Sequence, residues 1–192
     1  MDPKPYVIDV VDMSGEGGAH FKEMLKNYGG GASVESKMIE IYAMSNAVAR
    51  MIDLVMAAAE GQYGSIKILG LWGHGLVDAR HVGVGVHAVT GGWSGADHGS
   101  TLSYRTLTAL GPALGRLRGY FAPDGRFEIR GCGVARGDGF ETMKLLAYQW
   151  DVEVQGGEGN GQGLDWGPPV WSVARGGRTA TKIAGKPYDR RL

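Results

Sequence analysis

The sequence predicts an α/β fold, a three-layer α/β/α sandwich with a mostly parallel central sheet. Apolar, β-branched runs alternate along the chain with longer segments in which apolar residues recur every three or four positions. Such alternation is typical of a parallel sheet with helices on both faces. Glycine is the second observation: 34 of the 192 residues are glycine, without a repeat and between the apolar runs, which predicts many tight turns.

The first half of the chain contains the first strands and the longest helical pattern. Residues 6–11 are apolar and β-branched before a glycine-rich loop, which predicts a buried strand. Residues 34–60 contain neither Gly nor Pro and space apolar side chains three and four apart, so we expect one long amphipathic helix. Residues 65–72 are a short apolar run that predicts a second buried strand, and residues 81–89 alternate like an extended pair or an edge strand.

The second half continues the alternation of helices and strands. Residues 102–117 have helical spacing that Gly111 and Pro112 interrupt, so we expect a broken or kinked helix. The pattern then predicts a strand at residues 126–130 and a helix at residues 139–150. Two further strands are expected at residues 152–155 and 170–174, on either side of a flexible loop.

The composition excludes several classes of protein. Hydrophobic residues make up 43% of the chain and charged residues 21%, which suits a buried core and not a disordered segment. A formal net charge of zero disfavours nucleic acid and anionic membranes as partners. The single cysteine, Cys132, can form neither an intrachain disulfide nor a cysteine-rich zinc site. We expect one domain over residues 1–192, with a basic tail at about residues 175–192.

The N-terminal residues indicate a cellular location. Residues 1–11 carry charges and have no long apolar run, and no stretch of the chain approaches the length of a membrane span. We therefore expect a cytoplasmic protein, with export that needs no signal sequence left open. The oligomeric state is left open as well.

Two of the predicted strands end in glycine turns that carry a reactive side chain. His74 stands between two glycines after the strand at 65–72, and Cys132 stands between two glycines after the strand at 126–130. Because catalytic groups collect at the carboxyl ends of parallel strands, we expect both side chains at one edge of the sheet. There an imidazole can accept the thiol proton, and the thiolate can attack a carbonyl carbon. The backbone N–H groups of Gly75 and Cys132 are candidate donors to the developing oxyanion.

Together, the two turns resemble the caspase-like cysteine peptidases, a clan that includes caspases, gingipains, legumains, bacterial CHAT proteases and toxin self-processing domains. The resemblance covers about residues 66–155, and residues 127–155 are similar to bacterial caspase-like domains found with large secreted proteins. It implies a cysteine endopeptidase or self-processing protease that acts on a protein or peptide substrate without a cofactor. In that scheme His74 is the general base, Cys132 the nucleophile, and the N–H groups of Gly75 and Cys132 form the oxyanion hole.

The sequence also departs from the caspase pattern. Arg130 and Gly131 precede the cysteine where caspases have Gln-Ala, so a specificity for aspartate is not implied. The resemblance places substrate selection in the loop after the following strand, which is residues 156–171 here. In that loop, Glu158 and Asp165 could favour a basic residue at the P1 position of the substrate.

Two alternatives account for the same residues differently. A glycine turn, a helix and nearby acidic residues also suit a nucleoside cofactor, and Gly-Cys-Gly resembles the turn of S-adenosylmethionine-dependent methyltransferases. That turn normally opens the sheet, however, and too few residues follow Gln155 to complete one. The second alternative is a caspase-like scaffold or interaction module without catalysis, in which His74 and Cys132 only pack.

The remaining histidines do not predict a metal site. His20 is expected to open a helix, His81 and His87 lie in the alternating segment, and His98 follows in a loop. None of them has the ligand spacing of the known zinc motifs, so no metal is expected.

Overall fold

The computed structural model describes residues 3–14, 17–27, 34–73, 81–83, 101–104, 106–159, 166 and 168–184. Its elements in chain order are β1 (Tyr6–Asp12), α1 (Gly18–Asn27), β2 (Glu35–Ile41), α2 (Ala47–Ala58), β3 (Ile66–Trp72), β4 (His81–Gly83), β5 (Thr101–Ser103), α3 (Leu107–Gly115), β6 (Phe121–Ile129), α4 (Asp138–Trp150), β7 (Glu153–Gly157), β8 (Val170–Val173) and β9 (Ala180–Ile183). Within these ranges, every helix is too short or too polar to cross a membrane.

Seven of the strands form one mixed sheet in the order β2-β1-β3-β6-β7-β8-β9. Neighbouring strands from β2 to β7 pair in parallel, while β8 pairs antiparallel with both β7 and β9. Strands β4 and β5 form a separate antiparallel pair. The predicted α/β fold with a mostly parallel sheet is therefore confirmed.

Helices cover both faces of this sheet. Ile8 and Val10 of β1 belong to the larger of two buried apolar clusters, and Val7 and Val11 belong to the smaller one. Because successive side chains of a strand point to opposite faces, the two clusters lie on opposite sides of the sheet. The larger cluster includes side chains from α2, α3 and α4, and the smaller one includes Leu25 of α1. This arrangement is consistent with the three-layer α/β/α prediction.

The single long helix predicted over residues 34–60 is wrong in its first half. Glu35–Ile41 forms β2, which pairs in parallel with β1, and α2 begins only at Ala47. Asn46 has a left-handed backbone with φ of 54°, which no continuous α-helix contains. The spacing of apolar residues was compatible with a helix, but hydrogen bonding to β1 decides the local structure.

Other boundaries also differ from the predictions. The helix expected over residues 102–117 is shorter in the structure. Residues 102 and 103 belong to β5, and α3 covers only Leu107–Gly115, with Pro112 inside it. Strand β6 begins at Phe121 instead of residue 126, and β7 extends into the loop predicted to begin at residue 156. Of the extended segment predicted at 81–89, His81–Gly83 forms β4, and the rest lies outside the described residues.

Part of the predicted basic tail belongs to the sheet. Residues 180–183 form β9, an edge strand that the sequence did not predict. Arg175 donates hydrogen bonds to the backbone carbonyl oxygens of Asp151 and Ala122, the second at 2.6 Å. The beginning of the tail is therefore held against the ends of α4 and β6.

A buried hydrogen bond joins β1 to the carboxyl end of β3. The carboxylate of Asp9 is fully buried and accepts this bond from the indole Nε1 of Trp72 at 2.8 Å. Gly70 pairs with Asp9 across the strands and leaves room for the bond, since a Cβ atom at this glycine would lie 2.7 Å from Oδ1 of Asp9. Trp72 is the last residue of β3, so the bond orients the strand end that leads to His74.

Replacing Gly70 with alanine should therefore destabilise the fold. We expect Gly70→Ala to lower the free energy of unfolding by about 1–3 kcal/mol, because the new methyl group separates a buried donor from its acceptor. Denaturant unfolding followed by circular dichroism measures the change. Gly111→Ala in α3 is the matched control, since a Cβ atom there meets nothing within 4 Å, and alanine favours helix. Equal stability of Gly70→Ala and wild type would contradict the account.

Candidate functional site

The two turns predicted to be catalytic follow neighbouring strands. Strands β3 and β6 are adjacent and parallel, and Leu71 pairs with Ile129. His74 and Cys132 each lie three residues beyond this pair in the sequence. The backbone N–H of Arg130 donates to the carbonyl oxygen of Leu71 at 2.7 Å, which extends the pairing to the end of β6. The two turns therefore begin at the same edge of the sheet.

Cys132 is half-buried in a turn that is tied to the end of β7. The N–H of Gly133 donates to the carbonyl oxygen of Gly159 at 2.9 Å, and the N–H of Ala135 donates to that of Gly157 at 3.0 Å. Gly133 has a φ of 64°, a left-handed conformation that glycine adopts without strain. These bonds hold the backbone on the C-terminal side of Cys132 in a defined place.

The predicted oxyanion hole is described in part. The predicted donor within this turn is the N–H of Cys132, and the neighbouring N–H of Gly133 donates to the carbonyl oxygen of Gly159. His74 and the second predicted donor, Gly75, lie outside the described residues. That His74 and Gly75 lie close to Cys132 therefore stays a prediction. It is supported by the pairing of β3 with β6, which starts both turns at the same edge of the sheet.

Glu158, one of the two predicted substrate-selecting acids, lies next to the Cys132 turn. Its neighbour Gly159 accepts the hydrogen bond from Gly133, and its own N–H donates to the carbonyl oxygen of Pro169 at 2.9 Å. One carboxylate oxygen accepts a bond of 2.7 Å from the indole Nε1 of Trp171. The other predicted acid, Asp165, lies outside the described residues.

Sequence reasoning missed a buried cation beside the candidate site. The side chain of Arg130 is 5% exposed and pairs with the carboxylate of Glu128, with Nε to Oε2 at 2.9 Å. The guanidinium carbon lies 5.5 Å from the ring centre of Trp72 and 3.8 Å from that of Trp166. The position of these residues in the sequence could have indicated their proximity, since Trp72 and Arg130 each stand two residues before a candidate catalytic residue.

Glu128 lies between two arginines. Its side chain is 2% exposed, and its two oxygens separately accept hydrogen bonds from Arg126, at 2.5 Å, and from Arg130. All three residues alternate along the end of β6 and therefore share one face of the sheet. A buried carboxylate between two cations is compensated electrostatically, and removal of its charge leaves the cations to repel each other.

The pKa shifts of Glu35 and Glu60 belong to the end of the sheet opposite the candidate site. Hydrogen bonds from Lys4 and Lys37 hold the pKa values of the Glu35 and Glu60 carboxyls, respectively, below the ordinary value. Glu35 pairs with Tyr6, the first residue of β1, whereas Cys132 follows the last residue of β6. These ion pairs support the edge strand β2 and lie apart from the candidate site.

The described residues contain no candidate metal cluster, and a cavity among them lies away from the Cys132 turn. Among the residues that the structure describes, no group of three His, Cys, Asp or Glu side chains could hold a metal ion. His87 and His98 lie outside the described residues. A cavity of about 230 Å³ opens between α3 and α4, where Leu107, Leu114 and Leu145 line it, on the helical layer rather than at the Cys132 turn.

Comparison with known proteins adds no family assignment. No protein-family model matches the chain, and no curated protein is significantly similar to it. Because a fold alone does not define an activity, function has to be argued from the site itself.

Loss of the Glu128 charge should destabilise the protein. We expect Glu128→Gln to lower the free energy of unfolding by about 3 kcal/mol, because two arginines are then left beside a neutral group. Glu141→Gln is the control, since this exposed residue pairs with Lys144 on the surface and its loss should cost less than about 0.5 kcal/mol. Denaturant unfolding at neutral pH compares the two variants. A Glu128→Gln cost as small as that of the control would contradict the compensating role.

Proposed function

We propose that this protein is a caspase-like cysteine endopeptidase or self-processing protease in which His74 activates Cys132. The observation that carries the proposal is the parallel pairing of β3 with β6, since each candidate residue follows the same paired position, Leu71 with Ile129, by three residues. Strand ends at this edge of a parallel sheet are where catalytic groups collect. A histidine and a cysteine at such neighbouring ends suit nucleophilic catalysis.

The proposed reaction proceeds through an acyl-thioester. The imidazole of His74 accepts the thiol proton, and the thiolate of Cys132 forms a bond to the carbonyl carbon of the peptide. The N–H groups of Gly75 and Cys132 stabilise the oxyanion. Collapse of this tetrahedral intermediate breaks the C–N bond, and the imidazolium gives its proton to the leaving amine. A water molecule, deprotonated by His74, then hydrolyses the thioester and restores the thiol.

The backbone of the Cys132 turn supports this role. Catalysis gains from groups that are already in place before the substrate binds, because no reorganisation is then needed in the transition state. The bonds from Gly133 to Gly159 and from Ala135 to Gly157 hold the turn in place.

Substrate selection in this proposal falls on the loop at residues 156–171, with Glu158 and Asp165 favouring a basic P1 residue. The bond from Trp171 fixes one oxygen of the Glu158 carboxylate, and the backbone of the next residue, Gly159, is bonded to the Cys132 turn. A carboxylate held in this way pairs well with the planar guanidinium of an arginine side chain.

The two alternatives predict different outcomes. Only one further parallel strand, β7, follows the Cys132 turn, as the described part of the sheet shows, which disfavours the methyltransferase alternative. Saturable binding of S-adenosylmethionine in calorimetry would nevertheless favour it. A folded protein that reacts with none of the peptidyl probes below would favour the non-catalytic scaffold.

Labelling with peptidyl electrophiles tests the proposed dyad. We expect covalent labelling of the wild type, none of Cys132→Ala, and labelling at least about 100-fold slower in His74→Ala, because the base is lost. His20→Ala in α1 is the matched histidine control and should label like the wild type. Labelling that persists in Cys132→Ala, or no labelling by probes of any P1 residue, would overturn the proposal.

The rate of alkylation tests the His–Cys pairing with a reagent that needs no substrate pocket. Cys132 is the only cysteine, so iodoacetamide reports on it alone. A histidine beside a cysteine makes the thiol more reactive, so at neutral pH we expect alkylation of the wild type to be about tenfold faster than that of His74→Ala. Equal rates in both proteins would contradict the pairing.

Probes with different P1 residues test the role of Glu158. We expect wild type to react fastest with an arginine probe, and Glu158→Gln to lose about tenfold of its preference for arginine over leucine, because the charge is lost. The amide can still accept the bond from Trp171. Glu153→Gln, at the start of the strand β7 that Glu158 follows, is the matched control and should keep the preference. An unchanged preference in Glu158→Gln would exclude this carboxylate from the pocket.

A further inference from the structure

Arg130 contacts two other segments at the edge of the sheet where the candidate site lies. It directly follows β6, the strand that leads to Cys132, and its guanidinium carbon lies 5.5 Å from the ring centre of Trp72, which precedes the His74 turn. The same carbon lies 3.8 Å from the ring centre of Trp166, which stands in the loop after β7. One buried cation therefore joins two strand ends to one loop.

The guanidinium group suits this position better than an ammonium group would. A planar guanidinium can stack on aromatic rings while its N–H groups bond a carboxylate in the same plane, and it is more weakly hydrated than the ammonium of lysine. Arg130 makes both kinds of contact: it donates hydrogen bonds to the carboxylate of Glu128, and it lies over the ring of Trp166. Arg126 also bonds Glu128, but its side chain is 27% exposed.

The described residues on either side of Trp166 in the sequence are bonded to each other and to the Cys132 turn. The N–H of Glu158 donates to the carbonyl oxygen of Pro169 at 2.9 Å, and Gly159 accepts the bond from Gly133. Trp166 lies between Gly159 and Pro169 in the sequence and contacts Arg130. The contact with Arg130 therefore fixes Trp166 beside the residue that follows β6.

We infer that Arg130 is a positioning residue for substrate binding, which holds Trp166, a residue of the substrate-selecting loop proposed above, in place through their stack. The inference rests on the proposed function, because that proposal assigns substrate selection to this loop. Arg130 acts through Trp166 and does not touch the reacting atoms. Loss of the stack should weaken binding of a peptidyl substrate and leave the reactivity of the thiol toward a small reagent unchanged.

The test compares Arg130→Lys with Arg126→Lys, which changes the other arginine of Glu128 in the same way. Both variants keep the positive charge, so a buried carboxylate is not left alone. For a peptidyl electrophile with arginine at P1, we expect Arg130→Lys to raise KI about tenfold with kinact nearly unchanged, because the stacking contact is lost. The rate of alkylation by iodoacetamide should equal that of wild type, and Arg126→Lys should change none of these values.

Trp166→Leu removes the other half of the stack and tests the coupling directly. If Arg130 acts through Trp166, the double variant Arg130→Lys/Trp166→Leu should show no larger rise in KI than either single variant. Additive effects would overturn the inference, and so would an unchanged KI in Arg130→Lys. An equal loss of peptidyl labelling and of iodoacetamide alkylation would overturn it too, because Arg130 would then act on the thiol or on folding.

Fluorine NMR separates failure of this inference from failure of the proposed function. In protein labelled with 5-fluorotryptophan, the five tryptophans each give one resonance, assigned by single Trp→Phe variants. Arg130→Lys should shift the resonances of Trp166 and Trp72 and leave that of Trp150, which is buried in the larger cluster, in place. Unshifted Trp166 would overturn the inference whatever the activity. A shifted Trp166 in a protein that no probe labels would support the stack and overturn only the proposed function.

Discussion

The parallel pairing of β3 with β6 is the constraint on which the other features of this molecule depend. The strands are far apart in the sequence, yet their pairing places Leu71 beside Ile129 and starts the His74 and Cys132 turns from one edge. It also places Trp72 close enough to Arg130 for their side chains to stack. A shift of this register by one residue would send one strand's side chains to the opposite faces of the sheet and separate these groups.

Two buried carboxylates hold side chains at this edge of the sheet. Asp9 orients Trp72, and Glu128 orients Arg130, so each side chain that precedes a candidate catalytic turn is held by a buried carboxylate. Burying charged groups has a high desolvation cost, and an apolar strand end would be as stable or more stable. Polar groups that hold neighbouring side chains in defined orientations are expected where a site must be preorganised, which agrees with the function proposed for this edge.

The errors of the sequence-based prediction have identifiable physical causes. In residues 34–60, the apolar spacing suited a helix, but pairing with β1 makes Glu35–Ile41 a strand, and the left-handed Asn46 separates it from α2. Strand β9 has little hydrophobic pattern of its own, because it is an edge strand whose structure comes from hydrogen bonds to β8. The sequence gives no sign that Arg130 is buried, since Trp166, which contacts it, lies far from it in the chain.

The sequence by itself determined the α/β class, the strands β1 and β3, the helix α4, and the two glycine turns with their candidate residues. These features depend on local periodicity and on turn residues, which neighbours in the sequence encode. Only the tertiary structure decided the strand order, the edge strands β2 and β9, and the stack of Arg130 with Trp166. Each of these depends on contacts between residues far apart in the chain, where pairing and burial override local propensity.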